Sequence, residues 1–187
     1  RFYNLPQRGP YPSDPTLLWY VAGVPPMNRA LEEVRGSWIA HLDDDELWKP
    51  QHLECALAEA YQKNVELVGA SILVEYPPDV WGIYEPKRKS FLFWGEFTKG
   101  GLPHSSLIMR SYLRFFRYDM QCWKFAAGGD RHMLTRMARS GVRYELTQTP
   151  TVLQPLRPGT TQQGHRAEDR STLLIHGFYE QVTTREL

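Results

Sequence analysis

The sequence predicts an α/β fold with at least some parallel strands. Three observations point there. Strand-length apolar runs alternate with stretches whose apolar residues recur at helical spacing. The chain has 187 residues, of which 42% are hydrophobic and 23% charged, enough for one domain with a substantial core. An acidic run closes one of the strands, at the carboxyl end where open α/β sheets bind ligands.

The elements follow in chain order. Phe2 to Leu5 is expected as a short strand, followed by the loop "PQRGPYPSDP", full of turn residues. Leu17 to Ala22 is short and apolar. Pro25 and Pro26 precede a helix with Met27, Ala30, Leu31 and Val34 on one face, and Gly36 suits its C′ position. Trp38 to Leu42 reads as a buried strand. A second helix starts near Pro50 and buries Leu53, Ala56, Leu57, Ala60 and Tyr61. "ELVGASILVEY" is the next strand. "PPDVWGIYEPKRKSFLFW" looks like two strands joined by a polar turn, with Lys87, Arg88 and Lys89 at its tip. Ser106 to Met109 is extended. Residues 130–140 form a helix with Met133, Leu134, Met137 and Ala138 on one face and Gly141 as terminator. "VRYEL" is a strand, "LRPGTTQQGHR" a polar loop, and Leu173 to Thr183 a final helix.

Composition excludes several classes. No apolar run reaches membrane-spanning length, and no signal-peptide pattern is present. Cys55 and Cys122 form neither a CxxC pair nor a metal-ligand spacing, so a reducing, cytoplasmic setting is expected. GxGxxG, GxxxxGK[ST] and GxSxG are absent. No basic arm or nucleic-acid motif appears. Charge is uneven: residues 1–86 sum to −7 and residues 87–170 to +9, within a total of +1. An acidic half facing a basic half would suit a divalent metal and a phosphate-bearing ligand. Two solvated surfaces would give the same sums.

In "SWIAHLDDDELWKP" the apolar strand runs into Asp43, Asp44, Asp45 and Glu46. Aspartates two apart can aim at one point, and hard oxygens suit Mg²⁺ or Mn²⁺. Alternatively the run favours the next helix through its dipole. Asp130 follows two glycines and opens a helix. It can serve as an N-cap and also take a proton from a bound hydroxyl. Arg131 faces phosphate or solvent. His41 reads as a packed core residue. His104, in "GLPHSS", can line a cleft, and His165 can contact a metal or diphosphate. No HExxH-like pair singles out any histidine as a ligand.

Two segments carry a family resemblance. "MNRALEEVRGSWIAHLDDDELWKPQHLE" resembles the central segment of family 2 glycosyltransferases of the GT-A fold: an Asn-containing helix, a Gly turn, an apolar strand, Asp-x-Asp and a Pro-led helix. Asn28, Gly36, Asp43, Asp45 and Pro50 fill those places. "GGDRHMLTRMARSGVRYELTQTPTV" is similar to the later family segment. There Asp130 matches the catalytic base, while Gly129 stands where the family usually has Glu.

The resemblance spans residues 1–160. It implies a GT-A-like mixed sheet flanked by helices, in one domain over residues 1–187. Residues 1–86 would be the donor and metal half, and residues 87–187 the acceptor and base half. It further implies a nucleotide-diphosphate-sugar donor, a divalent cation, a saccharide or other hydroxyl acceptor, and inversion. Asp45 would bind the metal. Asp43 would bind the metal or the nucleotide ribose, with Asn28 also on the donor side. Asp130 would be the base, and His104, Arg131 and His165 would contact acceptor or diphosphate. The family's opening strand–helix–strand, which holds the nucleotide base, has no counterpart here. The chain therefore reads as N-terminally truncated, with an exposed sheet edge for a missing segment or a homodimer partner. A catalytically inactive glycosyltransferase-like interaction module is the alternative. A phosphohydrolase using the acidic run is a third and weaker reading.

Overall fold

The fold is known from a computed structural model, which describes residues 4–6, 9–75, 90–93, 101–155 and 179–180. Four α-helices lie among them: α1 Pro15–Val21, α2 Val24–Glu32, α3 His52–Lys63 and α4 Gly129–Arg139. The strands are β1 Trp38–Ala40, β2 Leu47–Trp48, β3 Leu67–Glu75, β4 Ser90–Phe93, β5 Ile108–Arg110, β6 Tyr144–Pro155 and β7 Tyr179–Glu180.

The sheet is mixed. β3 is its spine, parallel to β6 on one side and antiparallel to β5 and then β4 on the other. β1 lies outside β5, β7 outside β4, and β2 outside β6, all antiparallel. β1 and β3 thus run the same way, with the later strand β5 between them.

Alternation along each strand sorts side chains to two faces. Ile39, Leu67 and Met109 pack on one face with Val24 and Leu31 of α2 and Met133, Leu134 and Met137 of α4. Trp38, Val68 and Ile108 pack on the other with Ala56 and Ala60 of α3. Helices therefore cover both faces, as the alternating sequence predicts.

The departures are local. Asn4 and Leu5 are not in a strand, and Phe2 lies outside the described residues. Leu17 to Val21 is helical rather than merely apolar. Ala30 is exposed. α2 ends at Glu32 with Glu33 as its cap, so Gly36 lies beyond the C′ position. In α3, Leu53 and Tyr61 are 43% and 62% exposed. Its buried stripe is His52, Ala56 and Ala60, because His52 turns inward to bond Thr151. His104–Ser106 is a 3-10 turn, and the extended segment is Ile108–Arg110. β6 is much longer than "VRYEL", with an irregularity opposite Ala70–Ile72 that lets its second half continue beside β3.

Gly141, at φ 76°, ends α4 as expected, in a conformation costly for other residues. Of the expected hairpin only β4 is described, and Lys87, Arg88 and Lys89 fall outside. Of the expected final helix, Tyr179–Glu180 is instead a strand on β4. The polar loop with His165 lies outside the described residues.

Candidate functional site

A cleft of about 450 Å³ opens at the carboxyl end of β1. Asp43, Asp44, Asp45, His104 and Asp130 line its polar side, and Gly23, Pro26, Met27 and Leu42 its apolar side. The fold brings together residues from distant parts of the chain for specific local reasons.

Pairing between β1 and β5 sets Ala40 opposite Ile108. The ladder continues past the strand, with the His41 amide donating to the Leu107 carbonyl at 3.1 Å. Two residues on, the Asp43 amide donates to Ser105 Oγ at 2.8 Å. This register delivers His104 to Asp43. Ser105 is fully buried, and its carbonyl accepts from the Trp48 indole at 2.8 Å. One serine thus anchors the acidic turn on both sides.

His104 Nδ1 lies 2.6 Å from Asp43 Oδ1, and its Nε2 lies 2.9 Å from the Tyr118 hydroxyl. Tyr118 is 2% exposed. Its backbone is clamped by Asn28, whose Nδ2 donates to the Tyr118 carbonyl at 2.8 Å and whose Oδ1 accepts from the Tyr118 amide at 2.9 Å. The Tyr118 hydroxyl also meets His41 Nδ1 at 3.3 Å.

Electrostatics follow from this packing. Burial works against charge on both members of the Asp43–His104 pair, yet their hydrogen bond and opposite charges win. The Asp43 carboxyl is held below its ordinary value and the His104 imidazole above its own. His41 is buried and pushed down to about 3, which keeps it neutral. Desolvation raises the Asp130 carboxyl above its ordinary value, although the Arg131 amide donates to its Oδ1 at 2.7 Å.

The acidic run is now divided. Asp43, Asp44 and Asp45 face the cleft. Glu46 does not, nor does it sit at the start of α3: it is 7% exposed and accepts from Gln154 Nε2 at 2.6 Å. Burial, with Asp43 and Asp45 adding, pushes it up to about 7 against the pull of Ser105.

The other expected site residues fall in different places. Asn28 is outside the cleft lining, with both ends of its amide on Tyr118. Arg131 is exposed and also outside the lining. His165 lies outside the described residues. No Lys or Arg lines the cleft among the described residues. Three of the described arginines are engaged elsewhere: Arg117 pairs with Glu32 at 2.7 Å, Arg110 stacks 4.1 Å over Trp38, and Arg114 donates to the Val34 carbonyl at 2.9 Å. Two residues escaped the sequence reading, Tyr118 and Ser105. Only the β1–β5 register could have found Ser105, and no local pattern marks Tyr118.

The carboxylate oxygens suit a hard divalent cation. No group of three or more His, Cys, Asp or Glu side chains is arranged to hold a metal among the described residues. A two-carboxylate set fits an ion that keeps most of its waters and shares phosphate oxygens, as Mg²⁺ does.

Gly129 departs from the family pattern for a visible reason. It is buried, and a Cβ built there would lie 2.7 Å from Val24 Cγ2. The start of α2 fills the space a side chain would need.

Comparison with known proteins agrees with this frame. The family described as Glycosyl transferase family 2 matches residues 26–123, just over half of the chain. A relative, the uncharacterized glycosyltransferase R139 of Acanthamoeba polyphaga mimivirus, is 37% identical over 67 residues, covering 34% of this chain and 27% of that protein. Structures of S. aureus TarS 1-349 in complex with UDP-GlcNAc and with UDP superpose at a TM-score of 0.51, with 14% and 13% identity. They cover 73% of this chain and 39% and 40% of TarS 1-349, and at that identity the likeness is one of fold. The chain thus spans well under half the length of these proteins. With the family pattern matched over its central residues and the GT-A-like sheet in place, this chain belongs to glycosyltransferase family 2.

Proposed function

We propose that this chain carries the donor-side carboxylates and the base of an inverting, divalent-metal-dependent glycosyltransferase. The sugar would come from a nucleotide diphosphate and pass to the hydroxyl of a saccharide or other acceptor. The acidic first half supplies Asp43 and Asp45, and the second half supplies Asp130. One observation carries the reading. Four aspartates converge on one cleft with no Lys or Arg beside them among the described residues.

A diphosphate cannot enter that field alone. Two like unit charges 4 Å apart repel by about 4 kcal/mol at an effective dielectric of 20. The nearby start of α2 offers little help, since Pro25 and Pro26 lack the N–H groups that make a helix start an anion site. Asp43 and Asp45 are the residues to hold a cation. Mn²⁺ or Mg²⁺, once bound, supplies Lewis-acid neutralisation of the leaving diphosphate. Asp130 accepts the proton of the acceptor hydroxyl as its oxygen bonds the anomeric carbon. The bond from that carbon to the diphosphate oxygen breaks on the opposite face. The likeness to a UDP-GlcNAc complex supports a UDP-sugar donor. Both cysteines are free thiols, which fits a cytoplasmic setting. No described helix is long and apolar enough to cross a membrane.

Calorimetry with UDP and GDP, with and without Mn²⁺, tests the donor side. Binding should require Mn²⁺, and equal heat with either nucleotide in the presence and absence of Mn²⁺ would overturn the reading. Asp130→Asn should keep metal–nucleotide binding and lose about 10²–10⁴-fold in transfer, the usual worth of a positioned base. Retained turnover would remove Asp130 from that role.

A second reading, an inactive interaction module, draws on the outer edge of β1. Trp38–Ala40 pair only with β5 among the described residues. Such an edge can accept a strand from a second copy or another segment. A light-scattering mass of a monomer, together with turnover, excludes it.

A further inference from the structure

We propose that His104 is the positioning residue of this site, locking the Asp43 carboxylate in one orientation through a chain that runs Asn28, Tyr118, His104, Asp43. The inference rests on the metal-site reading of Asp43 and adds a role that neither the acidic run nor the base supplies.

The geometry limits what else His104 can do. Both of its ring nitrogens are engaged inside the protein, at 2.6 Å to Asp43 and 2.9 Å to Tyr118. It therefore has no free donor for a diphosphate or an acceptor, although it lines the cleft. An ionised carboxylate only accepts hydrogen bonds, so Nδ1 must carry the proton that bridges to Asp43. Nε2 then faces the Tyr118 hydroxyl, which can donate to it or accept from it.

Asp43 needs such a holder. Its side chain is 42% exposed, whereas that of His104 is 12% exposed. A half-exposed aspartate in a turn samples several rotamers unless something fixes it. Its backbone is fixed by Ser105, but its carboxylate is fixed by the imidazole. The imidazole is fixed in turn by a buried tyrosine whose main chain α2 grips through two reciprocal bonds. Partners that orient a metal-binding group typically change metal affinity by about 10–100-fold when removed.

The test uses the full chain, with Mn²⁺ alone and Mn²⁺ with UDP as probes, read by electron paramagnetic resonance of free Mn²⁺. His104→Ala should weaken Mn²⁺ uptake about 10–100-fold. His104→Asn places an amide N–H where Nδ1 stands and should recover most of that loss. His104→Gln, whose amide reaches the Nε2 position instead, should not. Equal Mn²⁺ affinity in wild type and His104→Ala overturns the proposal, and so does equal recovery by Asn and Gln. Nitrogen NMR of the wild-type imidazole gives a second readout that needs neither metal nor turnover. A protonated Nδ1 is expected, and a ring protonated on Nε2 alone overturns the proposal. If the wild type takes up no Mn²⁺, the metal reading falls by itself, and the NMR result still decides whether His104 holds Asp43.

Discussion

Replacing Gly129 with alanine probes the contact that sets this chain apart from its family's pattern. The new Cβ would stand 2.7 Å from Val24 Cγ2, where carbon atoms in contact rest about 3.5–4.0 Å apart. Val24 is fully buried and cannot swing into solvent. Overpacking of this kind costs about 1–3 kcal/mol. Alanine in a helix gains about 0.5–1 kcal/mol over glycine, which leaves a net loss of about 0–2.5 kcal/mol by the same two figures. For a chain of this size each kcal/mol moves the melting temperature by roughly 2–4 °C.

Truncating Val24 removes the obstruction. In a Val24→Ala background the clash is gone and only the helix gain remains, so Gly129→Ala should change sign and stabilise. Urea denaturation of the four proteins of this double-mutant cycle measures the coupling, expected at about 1–3 kcal/mol. An equal cost of Gly129→Ala in both backgrounds would refute the steric account of the missing glutamate.

The remaining predictions concern the base and a buried histidine. Gly128 caps α4 with φ −62° and ψ 158°, which alanine adopts freely. Its added Cβ would meet Asp130 Oδ1 at 2.8 Å, so Gly128→Ala should turn the carboxylate, lowering kcat while Mn²⁺–UDP affinity holds. Loss of both together would place Asp130 outside the base role. His52, buried and pushed down to about 4 from an ordinary 6.5, takes up protons only in the unfolded chain between those values. Its contribution is therefore present above pH 6.5 and lost as pH falls toward 4, by up to about 3 kcal/mol. Glu46 acts in the opposite sense, since burial raises it, so the check is a comparison. Denaturation of His52→Gln from pH 7 to 4 should lose less stability than wild type, and an equal loss would show that His52 does not titrate there.

The elements were legible because their signals are local. Helix α4 shows Met133, Leu134 and Met137 at helical spacing, and all three are fully buried. The acidic turn was legible because it follows an apolar strand. What stayed hidden depends on pairing between remote segments. "IMR" and "WIA" are three-residue strands with no feature that fixes their register, yet that register places His104 on Asp43. His52 looks like a polar position on α3, and Thr151 on β6, 2.7 Å away, together with the stacked ring of Trp48, explains why it turns inward and leaves Leu53 exposed. Glu46 is the fourth member of a charged run by sequence and a buried partner of Gln154 by structure. Of the basic excess of residues 87–170, the described Arg110, Arg114 and Arg117 engage Trp38, Val34 and Glu32, and none of the three lines the cleft.

Helix α2 joins these observations. Its first residue, Val24, packs on Gly129 at the start of α4 and so bears on where Asp130 can stand. One turn later Asn28 grips Tyr118, which holds His104 against Asp43. A single short helix thus touches the supports of both carboxylates that the proposed reaction needs, one to receive a proton and one to hold a cation. A nucleophile and a leaving group must stay in line for inversion, and an error of about 1 Å in such an arrangement can cost about 10²-fold in rate. Nine residues, Val24–Glu32, can keep that spacing because both contacts are close, with Val24 fully buried and Asn28 half-buried. Val24 packs directly against Gly129, and the amide of Asn28 engages Tyr118 through both its nitrogen and its oxygen. On this reading the glycine at position 129 is the condition that lets α2 approach closely enough to hold both.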